Sequence, residues 1–405
     1  MREILKQKLL WVAAFGYFVD LFDLVLYGSV RIDSLKSLGY QGADLFEVGA
    51  TLLNVKMFGM LVGGIFWGIL GDRRGRREAL FGSILIYSMA TFLNAYVHDF
   101  TGYATLRFLA GFGLAGELGS AITLVSETLP QKTRGLGSAF VASVGFLGAA
   151  LSSLVSQHLA WQNAYRLGGA LGVVVLLSRA RVKESILFLK TKANHPSASF
   201  GSMTLLFNSP KRFKLMLLAF LAGVPIWYVA GILSYFAPEF AKELHTVGPV
   251  TSGLTIMMGY LGSILGDIAC GFLSQKLKSR KKAVLYFMLG GGIIALFHPL
   301  FSFGATAAFF YWIRFAIGFG NGFFAILIAW IAEMFGTNLR ATLTGILANL
   351  IRASVIPLTL SFQAFNPQYG LLKSSAGIGL VVFALGIFAV TKLPETFSRD
   401  LHYLE

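Results

Sequence analysis

Long apolar runs joined by short basic turns are the feature of this sequence that most limits its fold. The clearest turn, residues 68–77, reads GILGDRRGRR and places five charged residues between two apolar stretches. Upstream, residues 50–70 carry one charge, Lys56, and downstream, residues 80–97 carry none. An apolar run of about 20 residues crosses the hydrocarbon core of a bilayer. The turn is therefore predicted to join two membrane spans.

Composition places the chain in a membrane and argues against nucleic-acid binding. Of 405 residues, 56% are apolar and 13% are charged, whereas soluble domains are about one quarter charged. The net charge is +15, but the basic residues lie in short loops, as the positive-inside rule expects. We therefore expect a lipid bilayer and a small-molecule substrate as partners, and no nucleic acid.

Apolar windows predict twelve spans and an all-α membrane protein. The first window resembles a signal peptide, but Asp20 and Asp23 interrupt it and no cleavage site follows, so we expect a retained span. The predicted spans are 9–30, 46–71, 79–97, 101–128, 135–158, 163–180, 214–236, 249–275, 283–299, 303–333, 341–364 and 371–393.

Lysine and arginine concentrate in alternate connections, which predicts that both termini are cytoplasmic. The opposite set of connections carries only Arg31, Lys36, Lys242 and Lys373. An even number of spans agrees with this orientation. We expect a monomeric, multi-pass protein of the inner (cytoplasmic) membrane.

A long polar interval and an internal repeat divide the spans six and six. Residues 181–212 are predicted to be a cytoplasmic linker between a bundle of residues 1–180 and a bundle of residues 213–405. The sequence RFLAGFG begins at Arg107 and RFAIGFG at Arg314, and parallel repeats of this kind are found in transporters with two related halves. Each repeat is followed by an acid and, seven positions later, a base: Glu127 with Arg134, and Glu333 with Arg340.

The turn at residues 68–77 resembles the signature loop of the major facilitator superfamily, and the likeness extends over the chain in span count, loop placement and half-repeat. The matching residues are Gly68, Asp72, Arg73, Gly75, Arg76 and Arg77. Residues 16–28 and 107–127 are similar to patterns of its metabolite:proton symporter group, with Asp20, Tyr17 and Ala115 as departures. The resemblance implies two pseudo-symmetric six-helix bundles and proton-coupled transport of a carboxylate, proline or betaine.

Ionisable side chains inside spans are costly, so each is expected to face a wet cavity or a partner. Asp20 and Asp23 are three residues apart on one helix face, and two nearby carboxylates are a candidate proton site. We assign proton coupling to Asp20, Asp23, Arg107 and Glu117, with Arg107 released when Asp23 is protonated. The alternative is a permanent ion-pair cluster that also includes Lys56.

The second half carries an excess of positive charge that suits an anionic or zwitterionic substrate. An arginine with amide neighbours can bind a carboxylate. The predicted substrate-binding residues are Lys56, Tyr260, Asp267, Arg314, Asn321, Asn349 and Arg352. The alternative pairs Arg352 with Asp267 and makes Arg314 an anchor near the outer interface.

The basic turn and the acid–base pairs suggest a cytoplasmic gate. Asp72 ends the second span and can accept hydrogen bonds from a helix N-terminus, which by resemblance would be that of the eleventh span. The predicted gate residues are Gly68, Asp72, Arg73, Gly75, Arg76, Arg77, Glu127, Arg134, Glu333 and Arg340. The alternative treats the turn as a topology signal only.

These patterns predict a proton-coupled symporter that imports a small carboxylate or amino acid by alternating access. Protons are the coupling ion, and no cofactor, metal site or catalytic residue is expected. A proton-driven exporter, or an importer of a larger compound such as a siderophore or drug, would share nearly every feature. A facilitator without proton coupling also remains open, whereas a membrane enzyme or receptor has least support.

Overall fold

The computed structural model describes residues 8–74, 76–128, 134–179, 209–335 and 346–397. Internal contacts divide the chain into two compact units, Met1–Thr204 and Leu205–Glu405. The boundary falls within the predicted linker of residues 181–212, most of which lies outside the described residues.

Each of the six spans predicted for the first unit coincides with a helix. The second of these helices ends at Arg74 and the third begins at Arg76, within the basic segment of residues 68–77. The helices are α1 (Lys8–Ser37), α2 (Asp44–Arg74), α3 (Arg76–Leu93), α4 (Phe100–Thr128), α5 (Arg134–His158) and α6 (Trp161–Arg179).

The second unit also has a helix at each predicted span, with two differences from the sequence prediction. The tenth span was expected to be continuous, but a turn at residues 321–323 divides it. A short helix, α8, lies in a predicted loop. The helices are α7 (Pro210–Tyr228), α8 (Ala237–Glu243), α9 (Ser252–Leu277), α10 (Arg280–Ser302), α11 (Ala307–Gly320), α12 (Phe324–Met334), α13 (Val355–Tyr369) and α14 (Leu371–Lys392).

Helix length and composition support a membrane location. Within the described ranges, nine helical segments are long and apolar enough to cross a bilayer. Those ranges contain no β-strand, only an isolated bridge between Val247 and Thr306. The all-α class predicted from the sequence is confirmed.

Glycines bring α2 and α4 of the first unit into backbone contact. A Cβ on Gly59 would lie 2.2 Å from the carbonyl oxygen of Phe108. A Cβ on Gly111 would lie 2.2 Å from the carbonyl oxygen of Lys56. Only residues without a side chain allow this approach, which is typical of packed membrane helices.

The same contact recurs between α9 and α11 of the second unit. A Cβ on Gly318 would lie 2.1 Å from the carbonyl oxygen of Gly259. Gly318 and Gly111 hold the same place in the two repeated sequences, four residues after the arginine. The repeat is therefore present in the packing, and Gly259 stands where the first unit has Lys56.

Candidate functional site

Three helices of the first unit bring one carboxylate and two cations together. Asp23 of α1 accepts a hydrogen bond on Oδ2 from Lys56 Nζ of α2, at 2.5 Å. Asp23 Oδ1 lies 3.6 Å from Arg107 Nη1 of α4. All three side chains are completely buried, so each charge depends on its neighbours for compensation.

Aromatic rings surround the guanidinium of this cluster. Arg107 Cζ lies 4.6 Å from the centre of the Tyr27 ring and 5.9 Å from that of Tyr165. The hydroxyls of Tyr165 and Tyr103 are 2.7 Å apart, and that of Tyr103 is 3.1 Å from Ser34 Oγ. The π faces of the two rings favour the positive charge, and the hydroxyl chain fixes Tyr165 beside it.

The cluster brings together residues that the sequence had assigned to two roles. Asp20 is buried one turn before Asp23, as their spacing predicts. Lys56, assigned to the substrate, lies closer to Asp23 than Arg107 does. Glu117 lies in α4, and its side chain is outside the described residues. The roles assigned to these residues stay predictions.

Arg314 of α11 is the counterpart of Arg107 in the second unit, and its surroundings are different. Its Nη2 lies 3.2 Å from Nε2 of His298, and its Cζ lies 4.6 Å from the ring centre of Phe310 and 5.7 Å from that of Phe240. Arg314 is buried. Within the described part of the chain, no carboxylate forms an ion pair with it, and its Nε and Nη1 atoms have no hydrogen-bond partner.

The hydrogen bonds of His298 indicate which of its ring nitrogens carries the proton. His298 Nδ1 lies 2.8 Å from the carbonyl oxygen of Ala295, which can only accept a hydrogen bond. Nδ1 therefore carries the proton, and Nε2 accepts from the guanidinium. A neutral imidazole supplies no negative charge, so within the described residues Arg314 has no anionic partner.

Asp267 caps the helix that follows the break in the tenth span. Its Oδ1 accepts a hydrogen bond of 3.0 Å from the backbone N–H of Ala325, in the first turn of α12. A carboxylate at a helix N-terminus satisfies an otherwise unpaired donor and complements the helix dipole. This contact supplies a structural role beside the substrate role predicted for Asp267.

The other predicted substrate residues lie in α9, in the turn at residues 321–323 and in the helical stretch of residues 346–353. Asn321 Nδ2 donates to the carbonyl oxygen of Ile226 at 3.2 Å. Arg352 Cζ lies 6.0 Å from the ring centre of Trp227. Asn349 and Arg352 are buried, and Tyr260 is half-buried in α9.

Glu333 is the one predicted gate acid whose side chain is described. Its Oε1 lies 3.1 Å from Arg280 Nη2, at the start of α10, and its Oε2 accepts a hydrogen bond of 2.6 Å from Thr396 Oγ1. The base predicted from the repeat, Arg340, lies outside the described residues, as does Gly75. Gly68 lies in α2. The remaining gate residues lie in helices, but their side chains are outside the described set: Asp72, Arg73, Arg76, Arg77, Glu127 and Arg134.

Sequence reasoning missed Glu395, which follows the last span and caps α10. It accepts hydrogen bonds from the Ser279 hydroxyl and from the backbone N–H groups of Arg280 and Lys281, the latter two at 3.0 and 3.3 Å. Burial alone would raise the pKa of Glu395. The Ser279 hydroxyl and the backbone N–H groups outweigh that effect and hold the pKa below its ordinary value.

A comparison with known proteins identifies the family. The sequence profile of the Major Facilitator Superfamily matches residues 13–360. The chain belongs to the major facilitator superfamily.

Curated relatives of this superfamily member are metabolite transporters. The chain is 26% identical to a probable 4-methylmuconolactone transporter of Cupriavidus pinatubonensis, over 96% of this chain and 91% of that protein. It is also 26% identical to a gentisate transporter of Corynebacterium glutamicum, over 94% of this chain and 86% of that protein.

Solved structures agree with the fold. The xylose transporter XylE from E. coli, in a partially occluded inward-open conformation, aligns with a TM-score of 0.75 and 14% identity over 97% of this chain and 99% of that one. The protein is a multi-pass membrane transporter that acts on small molecules, and it is not an enzyme.

Proposed function

We propose that the protein is a proton-coupled symporter that imports a small anionic or zwitterionic organic metabolite. Asp23 carries the proton, and the surplus positive charge of the second unit receives the substrate. The observation on which this rests is the buried cluster in which Asp23 lies between Lys56 and Arg107.

The charges of that cluster give a physical route to coupling. Protonation of Asp23 would leave Lys56 and Arg107 as buried cations that have lost their counter-charge. Such a state is several kcal/mol less stable than the paired state, so protonation favours a conformation in which the cations find other partners. A proton can thereby shift the conformational equilibrium by the difference in its affinity for the two states.

The assignment of an organic acid is supported by Arg314 and by the relatives. A buried guanidinium without a counter-ion is a site for a carboxylate, which can accept two parallel hydrogen bonds from it. The relatives include transporters of gentisate and of cis,cis-muconate, both of which carry carboxylates. The aromatic rings of Phe310 and Phe240 beside Arg314 suit an unsaturated acid of that kind.

The proposal includes an orientation in the inner membrane with both termini in the cytoplasm. The concentration of lysine and arginine in alternate connections favours cytoplasmic termini in the inner membrane. The protein acts as a monomer, with protons as its coupling ion, without a cofactor and without nucleic acid. Labelling of single cysteines introduced near each terminus, with a reagent that cannot cross the membrane, tests the orientation.

The test is uptake of labelled carboxylates into proteoliposomes with and without an imposed pH gradient. The wild type should accumulate its best substrate only when the outside is acidic. Asp23→Asn should lose accumulation but keep exchange of internal for external substrate, because exchange requires no net proton movement.

Asp33→Asn is the matched control, because Asp33 lies exposed on the same helix. It should behave as the wild type. Equal uptake with and without the gradient would contradict proton coupling, and accumulation only into inside-out vesicles would indicate an exporter. A larger compound, such as a siderophore, outcompeting all the carboxylates would contradict the substrate class.

A further inference from the structure

A cavity in the second unit, separate from the charged clusters, has an apolar interior and a polar mouth. Its volume is about 580 Å³, and it is bounded by α7, α13 and α14. Aliphatic and aromatic side chains form most of its wall, including Phe220, Leu221, Val224, Val382 and Leu385.

The exposed residues around the cavity indicate that it opens toward lipid. Val381 and Leu385, which line it, are 58% and 44% exposed, and their neighbour Leu380 on α14 is 62% exposed. Large apolar side chains exposed on a membrane span are stable in hydrocarbon and costly in water. The open side of the cavity is therefore suited to an acyl chain.

The exposed polar side chains lie at one end, where Gly370 joins α13 to α14, whereas two serines further along the wall, Ser354 and Ser361, donate to backbone carbonyl oxygens three or four residues earlier. Lys373 and Tyr369 are exposed there, and Ser374 lies beside them in the wall. Ser374 is only 4% exposed, and its hydroxyl has no hydrogen-bond partner within the described part of the chain. The cavity wall includes no aspartate or glutamate, so the mouth is positively charged.

We propose that this cavity is a binding site for one anionic phospholipid. An acyl chain occupies the apolar interior, the headgroup phosphate pairs with Lys373, and the Ser374 hydroxyl donates to a phosphate or ester oxygen. A lysine at a membrane surface attracts anionic lipid, and a buried hydroxyl gains a partner that the protein itself does not provide. The site is independent of the proposed transport function.

Gly377 offers a way to fill the cavity without disturbing the protein. It lines the cavity on α14, and a Cβ built there meets no atom within 4 Å. Gly290 of α10 is equally open and lies outside the cavity wall. Gly377→Phe and Gly290→Phe are thus a matched pair.

The experiment measures dissociation constants of the first bound lipid by native mass spectrometry of the full-length protein in detergent. Phosphatidylglycerol and phosphatidylcholine with the same acyl chains are the probes. The wild type should bind phosphatidylglycerol about fivefold more tightly. Lys373→Gln should abolish that preference, and Gly377→Phe should remove the site for both lipids.

The control variants Lys242→Gln, at an exposed lysine of α8, and Gly290→Phe should keep the wild-type preference. An unchanged preference in Lys373→Gln, or unchanged binding in Gly377→Phe, would overturn the proposal. So would equally tight binding of glycerol 3-phosphate, which has no acyl chain. A lipid-free dimer that Gly377→Phe dissociates would identify a second copy of the chain as the occupant instead.

Discussion

Arg107 and Arg314 stand at matching positions of two repeated helices, but among the described residues Arg107 has a carboxylate partner and Arg314 has none. Around both, glycines hold the neighbouring helix at backbone contact. Asp23 lies 3.6 Å from Arg107 and binds Lys56 as well. Arg314 instead meets His298 and two phenylalanine rings. The two repeated helices thus pack alike, but the side chains around their arginines differ in charge.

Two acids of the second unit act at helix ends, away from Arg314. Asp267 caps α12, and Glu395 caps α10. The seventh span has no acidic residue, and Gly259 replaces the lysine of the first unit. The two halves therefore share a frame, but the first buries Asp23 with two cations, whereas the second, within its described residues, buries Arg314 without an anion. Under the proposed function, the first arrangement would hold the proton and the second would bind the anion.

The largest expected difference between the two sites is in stability. Asp23→Asn leaves two buried cations without their carboxylate, and we expect the free energy of unfolding to fall by about 3–5 kcal/mol. Arg314→Gln removes a cation that has no counter-ion among the described residues. Its cost should not exceed about 1 kcal/mol, from the lost contacts to His298 and the rings. Thermal or denaturant unfolding of the purified protein in detergent measures both.

Adding Lys56→Met to Asp23→Asn provides the control for that comparison. The second change removes one stranded cation and should recover part of the lost stability. Equal losses for Asp23→Asn and Arg314→Gln would mean that Arg314 has a counter-charge of its own, and the contrast between the halves would fail.

The second prediction concerns ligand affinity. Arg314→Gln should raise the dissociation constant of the best carboxylate by about 10–100-fold, because it removes a charged hydrogen-bond donor from the anion. The methyl ester of the same ligand, which lacks the charge, should lose less than about threefold. Calorimetric titration of both compounds checks this, and an equal loss for acid and ester would exclude Arg314 from the carboxylate site.

The third prediction tests what the two halves share. Gly111→Ala and Gly318→Ala each force a methyl group against a backbone carbonyl, and each should lower the free energy of unfolding by about 1–3 kcal/mol. Gly290→Ala, where the added methyl meets no atom within 4 Å, should stabilise its helix slightly. A large cost in one half and none in the other would show that the glycine contacts are not equivalent.

The sequence predicts the helices and the repeat because hydrophobic length and local motifs determine them. It also predicts that Asp20 and Asp23 share a face, since three residues on one helix set that relation. It places Lys56 beside Asp23 only in the alternative ion-pair cluster and otherwise assigns Lys56 to the substrate, because the contact depends on how α1 packs against α2. The break at residues 321–323 was missed because a long apolar run surrounds its turn signal, the Gly-Asn-Gly of residues 320–322.

Contacts between segments that are far apart in the sequence are the hardest to predict from the sequence. Arg280 and Glu395 are separated by 115 residues, and neither stands in the repeat that drew attention to Glu333. A lysine- and arginine-rich turn indicates topology, but it does not identify which of its residues meets an acid. Only the fold brings α10, α12 and the segment after α14 together.

The smallest effect is expected at Glu395, where the test is whether this acid caps a helix or takes part in transport. Glu395→Gln removes the negative charge from the α10 N-terminus and should cost about 1 kcal/mol, or a melting temperature lower by about 1 °C. Because hydrogen bonds hold the pKa of Glu395 below its ordinary value of 4.5, its stabilisation is fully present above that pH. The stabilisation is lost as the pH falls through the lower, folded-state pKa. The melting-temperature difference between variant and wild type should therefore be constant above about pH 5 and shrink below 4.5. Glu243→Gln, at an exposed acid of α8, should leave the melting temperature unchanged. Altered ligand affinity in Glu395→Gln, with unchanged melting, would contradict the capping role and place this acid with the functional residues of the second half.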